Sequence, residues 1–286
     1  MSIPANDLYE QIIRILGSSD IETAAFEAKI LIEDIGGVSM TDLRLDKSIT
    51  ISCEITENIV GCARRRAAGE PLGRILGYRD FWKDRFHLSK DTLEPRPDTE
   101  TLIESVLKSF GGHPPETILD LGTGSGCILL SLLREFPKAK GIGIDLSIGA
   151  CQTASLNMKH LGFSNRCTIL NGSWCEPLDK WAKFDLIVSN PPYIPSKNIP
   201  NLQKEVRNHD PIFALDGGED GLTPYKNLLP NLKNHLAVGG RIFFEIGVHQ
   251  SEDVMRLAKD SCATLIRITK DLGGIPRVVE ISYGDK

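Results

Sequence analysis

The stretch Ile118-Leu119-Asp120-Leu121-Gly122-Thr123-Gly124-Ser125-Gly126 decides the fold: a short apolar run passes into a glycine loop, and a helical pattern starts at Cys127. Glycines let a backbone turn tightly and approach a ligand closely, and the free N–H groups of a helix start offer donors to its polar atoms. Gly122, Thr123, Gly124, Ser125 and Gly126 are therefore candidate contacts of a nucleotide-type cofactor. The glycines fall as G-x-G-x-G; a dinucleotide fingerprint needs a further glycine where Cys127 stands, and no G-K-[ST] is present. Nicotinamide dinucleotides and a Walker-type phosphate cradle are disfavoured.

Outward from this loop the chain alternates. Apolar runs at Thr117 to Leu121, Lys140 to Ile144, Cys167 to Leu170, Phe184 to Ser189 and Arg241 to Ile246 are separated by helical stretches such as Cys127 to Glu135, Ile148 to Leu161 and Thr223 to Leu236. Alternating βαβ units predict an α/β fold with a parallel sheet covered on both faces. The tail differs: Ala263 to Thr269 and Arg277 to Tyr283 flank Asp271-Leu272-Gly273-Gly274, with no room for a crossover helix. These two runs must pair antiparallel, as a hairpin.

Two further features fall at strand ends. Asp145 closes the run Gly141-Ile142-Gly143-Ile144, roughly 20 residues beyond the glycine loop, where a carboxylate can accept from ribose hydroxyls; capping of the next helix is the plainer alternative. Ser189-Asn190-Pro191-Pro192-Tyr193 directly follows the run Phe184 to Val188. Ligands of open α/β sheets bind at the carboxyl ends of strands, so the tetrapeptide Asn190-Pro191-Pro192-Tyr193 should face the same crevice as the glycine loop. Two prolines remove two donors and stiffen the segment, leaving carbonyls and the Asn190 side chain as acceptors for a planar NH2 group, with Tyr193 as an aromatic wall. In isolation Asn-Pro-Pro-Tyr is a common turn, and only its register with the glycine loop makes it a site.

The first 70 or so residues show helical periodicity instead. Leu8, Ile12, Ile15 and Leu16 share a face, as do Ala24, Ala28, Leu31 and Ile35, then Ile55, Ile59, Cys62 and Ala63. Asp20 and Thr23 supply acceptors near the second helix start, and Gly36-Gly37 is a stop signal after it. A helical bundle is expected over residues 1–72, a hairpin-like linker with Phe81, Trp82 and Phe86 over 73–97, and the α/β domain over 98–286.

Composition narrows the function classes. The chain has 286 residues, 41% hydrophobic and 25% charged, as in soluble globular proteins. No run approaches the roughly 18 apolar residues of a membrane span, and the first ten residues lack a signal-like core, so a cytoplasmic protein is expected. Cys53, Cys62, Cys127, Cys151, Cys167, Cys175 and Cys262 are odd in number without a C-x-x-C pair, which suggests neither a disulfide framework nor a zinc site, and they are expected as small buried apolar residues. The six histidines are dispersed, and no metal is expected. Net charge is −5: the first 95 residues hold 12 Lys+Arg against 16 Asp+Glu, leaving 21 against 22. Neither part is basic, so stable nucleic-acid binding is not expected. The one tight cluster, Arg64-Arg65-Arg66, is expected as a solvated helix end.

Together the glycine loop, Asp145 and Asn190-Pro191-Pro192-Tyr193 resemble the S-adenosylmethionine-dependent N-methyltransferases of the seven-stranded class I fold. More narrowly, Glu70-Pro71-Leu72, Gly77-Tyr78-Arg79-Asp80-Phe81-Trp82 and Pro95-Arg96-Pro97-Asp98-Thr99-Glu100 resemble the HemK/PrmC family. Its members methylate the glutamine N5 in the Gly-Gly-Gln loop of class I peptide chain release factors. The resemblance covers nearly the whole chain and is strongest from Glu70 to about Gly247. It implies a Rossmann-like sheet of seven strands with an antiparallel terminal hairpin, and S-adenosyl-L-methionine as cofactor. It further implies that Gly122 to Gly126 hold the methionine part, Asp145 the ribose, Trp174 the adenine surroundings, and Asn190, Pro191, Pro192 and Tyr193 the substrate glutamine, with Asn190 also beside the cofactor. Many relatives carry an acidic residue just before the aromatic one, where this chain has Ser173.

Three other readings remain open. A sister family that methylates a ribosomal-protein glutamine shares the tetrapeptide, although Pro97-Asp98-Thr99-Glu100 favours the release-factor branch. An exocyclic-amine DNA methyltransferase would meet the same planar NH2 but predicts a basic recognition region. A cofactor-binding interaction protein would use the helical bundle alone. The Pro95 to Glu100 segment reads equally as rigid linker or cofactor contact, Glu245 as site wall or interior carboxylate, and a monomer is expected.

Overall fold

The computed structural model describes residues 2–19 and 21–284 and divides into two compact units, 1–76 and 77–286. Asp20 lies outside the described residues.

In the first unit the elements are β1 (Ser2–Pro4), α1 (Ala5–Gly17), α2 (Ala24–Asp34), α3 (Met40–Leu45), β2 (Thr50–Ser52), α4 (Cys53–Ala67) and α5 (Leu72–Leu76). The apolar faces of α1, α2 and α4 meet: Leu8, Ile12, Leu16, Ala28, Leu31, Ile32, Ile59 and Ala63 are fully buried together. β1 and β2 pair antiparallel. Thr23 is the N-cap of α2, but its hydroxyl accepts no cap hydrogen bond and instead donates to Glu27 Oε1 at 2.8 Å. That carboxylate is committed elsewhere too, because Arg66 Nε donates to Glu27 Oε2 at 2.6 Å, and both side chains are buried. Arg66 is thus an interior residue rather than part of a solvated helix end: it sits one helical turn from the buried Cys62 and Ala63, on the face that packs against α2.

In the second unit β3 (Tyr78–Phe81) and β4 (Asp84–His87) form a hairpin, followed by α6 (Glu100–Ser109), β5 (Thr117–Leu121), α7 (Cys127–Glu135), β6 (Lys140–Asp145), α8 (Ile148–His160), β7 (Cys167–Asn171), β8 (Phe184–Ser189), α9 (Lys204–His209), α10 (Thr223–Leu232), β9 (Leu236–Glu245), α11 (Ser251–Asp260), β10 (Leu265–Lys270) and β11 (Pro276–Ser282). The seven-stranded sheet has the order β10-β11-β9-β8-β5-β6-β7. β5 to β9 run parallel; β11 pairs antiparallel with both β9 and β10. Buried residues form one core on each face of the sheet, with Phe81 and Phe86 of the β3–β4 hairpin built into one of them. The hairpin is therefore part of this unit's packing. Four cysteines are buried as read, but Cys53 and Cys262 are exposed and Cys175 is half-buried: Cys53 opens α4 and Cys262 follows α11, both at element ends away from a core face.

The strand order matters for the site. Helix crossovers leave β5 toward β6 on one side and reach β8 on the other, so β5 and β8 are neighbours with a crevice at their carboxyl ends. Leu121 pairs with Ser189 at the last register position, and the Ser189 hydroxyl donates to the Leu121 carbonyl at 2.7 Å.

Candidate active site

Gly122, Gly124 and Gly126 all take positive φ, at 73°, 57° and 82°. L side chains rarely adopt this region, so the loop's path depends on glycine. Folding then fastens it. The N–H groups of Gly122 and Thr123 both donate to the Ile144 carbonyl, at 2.9 and 3.0 Å. The Thr123 hydroxyl donates to Asp120 Oδ2 at 2.6 Å. Asp145 closes the other side: Oδ2 accepts from Gly124 N at 2.8 Å and Oδ1 from Ser147 N at 2.9 Å. Burial raises the pKa of both carboxyls, that of Asp120 to about 7, while these hydrogen bonds oppose the rise.

Gly122, Thr123, Gly124, Ser125, Asp145, Trp174, Asn190 and Pro192 line one cavity with about 960 Å³ of free space, part of it open to solvent. Trp174 is one of four described non-glycine residues with positive φ, at 48°, a conformation that proteins keep mostly where surroundings enforce it. Its ring edge faces Gly122, where an added Cβ would come within 3.9 Å. Gly126 turns away from the cavity instead, and a Cβ there would press on Leu130 and Ala154 at 3.2 and 3.4 Å.

A second cavity adjoins the first and is lined by Pro191, Tyr193, Leu202, Val206 and Leu215 among others. Asn190 and Arg96 belong to both linings. Asn190 Nδ2 donates to Thr99 Oγ1 at 3.4 Å, and its Oδ1 has no partner among the described residues. The Pro191 carbonyl takes no hydrogen bond among the described residues either. The Tyr193 hydroxyl reaches Glu245 Oε1 at 3.4 Å, and burial raises its pKa well above the usual range, so it remains a proton donor. Behind the tetrapeptide, Gln250 Nε2 donates to the carbonyls of Tyr193 and Gly221 at 2.9 and 3.1 Å, while Gln250 Oε1 accepts from Gly247 N at 2.9 Å. Gly221, with φ of 76°, lies so close that a Cβ would stand 2.4 Å from the Tyr193 carbonyl.

The structure gathers the glycine loop, Asp145, Trp174, Asn190 and Pro192 in one cavity, and adds to its walls Pro95, Arg96 and Thr99 of the segment that read equally as linker or cofactor contact. Sequence reasoning left out Asp91, Leu93 and Phe213, which also line the cavity. They lie in loops or in a short 3-10 turn, where no periodicity marks a facing side. Arg96 is tethered to Asp210 at 2.6 Å. Glu245 is 1% exposed and burial pushes its pKa up to about 7. Among the described residues no His, Cys, Asp and Glu cluster could hold a metal ion.

The arrangement places a glycine loop and a buried carboxylate in one cavity, and unpartnered acceptors at its junction with the next. Comparison with known proteins follows the same division. Residues 7–77 match the PrmC N-terminal domain family and residues 93–208 the Methyltransferase small domain family. A release factor glutamine methyltransferase of Bradyrhizobium diazoefficiens is 44% identical over 268 residues, covering 92% of this chain and 90% of its own. The chain belongs to the release factor glutamine methyltransferase family. The family's enzyme from Caulobacter vibrioides is 41% identical over 264 residues, covering 92% and 91%. Among solved structures the scaffold is similar to the hMettl16 catalytic domain in complex with an MAT2A 3'UTR hairpin, with TM-score 0.58, 16% identity, and 79% and 83% of the two chains covered. A methyltransferase from Pyrococcus furiosus is also similar, with TM-score 0.51, 17% identity, and coverage of 68% and 89%. Both likenesses concern the fold. As in other release factor glutamine methyltransferases, the cofactor is S-adenosyl-L-methionine. The glycine loop fits it: the positive-φ Gly122 and Gly124 leave backbone approach open beside a buried carboxylate and an aromatic wall.

Proposed function

We propose that this chain methylates the side-chain amide nitrogen of the glutamine in the Gly-Gly-Gln loop of class I peptide chain release factors. One observation carries the reading: Asn190 is a wall of both cavities, with an unpartnered acceptor oxygen at their junction. Gly122, Thr123, Gly124 and Ser125 would hold the methionine part of the cofactor, Asp145 the ribose and Trp174 the adenine surroundings, with Gly126 shaping the loop behind them. Bound there, S-adenosyl-L-methionine supplies a methyl group on a positively charged sulfur.

The work of the chain lies on the acceptor side. A carboxamide nitrogen is a poor nucleophile because its lone pair is delocalised into the carbonyl. If Asn190 Oδ1 and the Pro191 carbonyl each accept one of its N–H groups, the nitrogen is held in line and its lone pair can turn toward the methyl. Pro192 stiffens the turn, and Tyr193 forms the aromatic wall that keeps water from the nitrogen. Charge disperses during transfer, so a dry site suits it. The motif supplies no general base; one amide proton is released after transfer.

The apolar helices of residues 1–76, without candidate catalytic groups, would recognise the body of the release factor, with the protein working as a cytoplasmic monomer and without stable nucleic-acid binding. Incubation with labelled cofactor and purified release factor, ribosomal proteins and DNA tests the assignment. Label is expected on the Gly-Gly-Gln glutamine; label on DNA alone, or on no glutamine, overturns it.

A further inference from the structure

Resting on the reading that transfer takes place where the two cavities meet, we propose that Asp210 is a positioning residue that holds and neutralises Arg96, so that the junction accepts the positively charged sulfur of S-adenosyl-L-methionine. Arg96 is the one Lys or Arg among the described residues that line either cavity, and like Asn190 it belongs to both linings. The other charged groups in these walls, Asp91 and Asp145, are carboxylates. A guanidinium keeps its charge at any ordinary pH. Left uncompensated at the junction, it would oppose a cationic cofactor and the positive charge that passes to the substrate nitrogen.

Asp210 supplies the compensation. It directly follows α9, and its backbone N–H donates to the Val206 carbonyl at 3.0 Å, which fixes its place. Arg96 Nη2 donates to Asp210 Oδ2 at 2.6 Å, and the Glu94 N–H donates to Oδ1 at 3.4 Å. Both carboxylate oxygens thus take a hydrogen from one short segment. The contact to Arg96 is of the short, charge-assisted kind. Among the described residues the Arg96 guanidinium has no second hydrogen bond or ion pair, so its charge is balanced from this side alone.

Burial separates this pair from an ordinary surface contact. The Asp210 side chain is 2% exposed and that of Arg96 39%. Pairs open to water on both sides are screened and change little when broken, whereas a buried partner keeps its effect at short range. A plainer role is open to Asp210 as well, because Val206 lines the second cavity and Phe213 the first, and the pair ties both walls to the segment of Arg96. Such a tie needs only an acceptor oxygen, which an amide also provides. Compensation needs the negative charge. Two ligands that differ by one charge at sulfur tell these roles apart.

Asp210→Asn keeps an acceptor for Arg96 and for the Glu94 N–H and removes the charge. Calorimetry on the full chain compares S-adenosyl-L-methionine with S-adenosyl-L-homocysteine, which has the same amino acid and nucleoside parts but a neutral sulfur. In Asp210→Asn the Kd of the first should rise about tenfold and that of the second stay within about twofold. Adding Arg96→Gln should return the ratio of the two Kd values to within about twofold of the unaltered protein. An unchanged ratio in Asp210→Asn, or a shifted ratio that persists in the double variant, would overturn the proposal. Should Asp210→Asn fail to fold, Arg96→Gln alone decides: it leaves the carboxylate without its cation, so the ratio must move about threefold or more in favour of S-adenosyl-L-methionine. An unchanged ratio there, or equal losses with both ligands as from a lost contact to their common carboxylate, overturns the proposal. Failure of the unaltered protein to label glutamine, with these ratios as expected, would instead remove the underlying reading.

Discussion

The two halves of the crevice are held in different ways. On the glycine-loop side, contacts are short and backbone-based: Gly122, Thr123 and Gly124 each spend an N–H on the neighbouring strand or on Asp145, at 2.8 to 3.0 Å. On the Asn190 side, side chains meet at 3.4 Å and acceptors stand unspent. Folding alone completes the first half, whereas the second has capacity left for hydrogens brought by another molecule. Preorganised polar groups with spare valence are what a transition state can use.

The largest effect should come from breaking the open half. Asn190→Ala is expected to lower kcat about 100- to 1000-fold while cofactor affinity, read by calorimetry, moves little; equal losses in both would merge the two halves into one. Breaking the closed half should do the reverse. Asp145→Ala removes a buried acceptor of two backbone N–H groups and is expected to weaken cofactor binding about 10- to 100-fold, with kcat at saturating cofactor less affected. A short Gly-Gly-Gln peptide offers the open half its amide without the rest of a release factor; its KM should rise about tenfold or more against the whole protein, with kcat nearly preserved.

The smallest effect is a pH dependence that only the open half should show. Burial raises Glu245 from 4.5 to about 7, and the groups facing it are Thr99, Tyr193, Asp98 and Arg277. Above about pH 7 the ionised carboxylate holds the Tyr193 hydroxyl as a donor, whereas below it the protonated acid can donate instead and loosen that contact, so kcat should rise as pH increases through that value. Stability runs the other way: a carboxyl whose pKa is raised on folding contributes stability that is present below 4.5 and lost as pH climbs past about 7. Glu245→Gln should flatten both profiles, measured as kcat and melting temperature from pH 5 to 9.

Where sequence reading reached and where it stopped follow from the same contrast. β5 and β8 were legible to the residue, because short apolar runs ended by Gly122 and by Asn190-Pro191 carry both period and punctuation. β9 was read from Arg241 but begins at Leu236: Gly239, at φ of 74°, and Gly240 interrupt the apolar pattern without ending the strand. In the site, backbone motifs could be read because glycine and proline are visible as letters. Thr99 and Glu245 stayed open between two readings and Gln250 and Gly221 went unread, since their roles depend on which polar atoms meet across segments more than 20 residues apart, and no spacing rule encodes that.

Leu121 and Ser189 occupy the final rung shared by two adjacent strands, so the glycine loop and the Asn190 tetrapeptide set out from neighbouring rails of one ladder. Interstrand spacing in a hydrogen-bonded sheet is nearly invariant, close to 4.8 Å. Backbone pairing therefore fixes how far apart the two loops begin, and on the proposed reading the Asn190 side chain only finishes an approach that the sheet has already set.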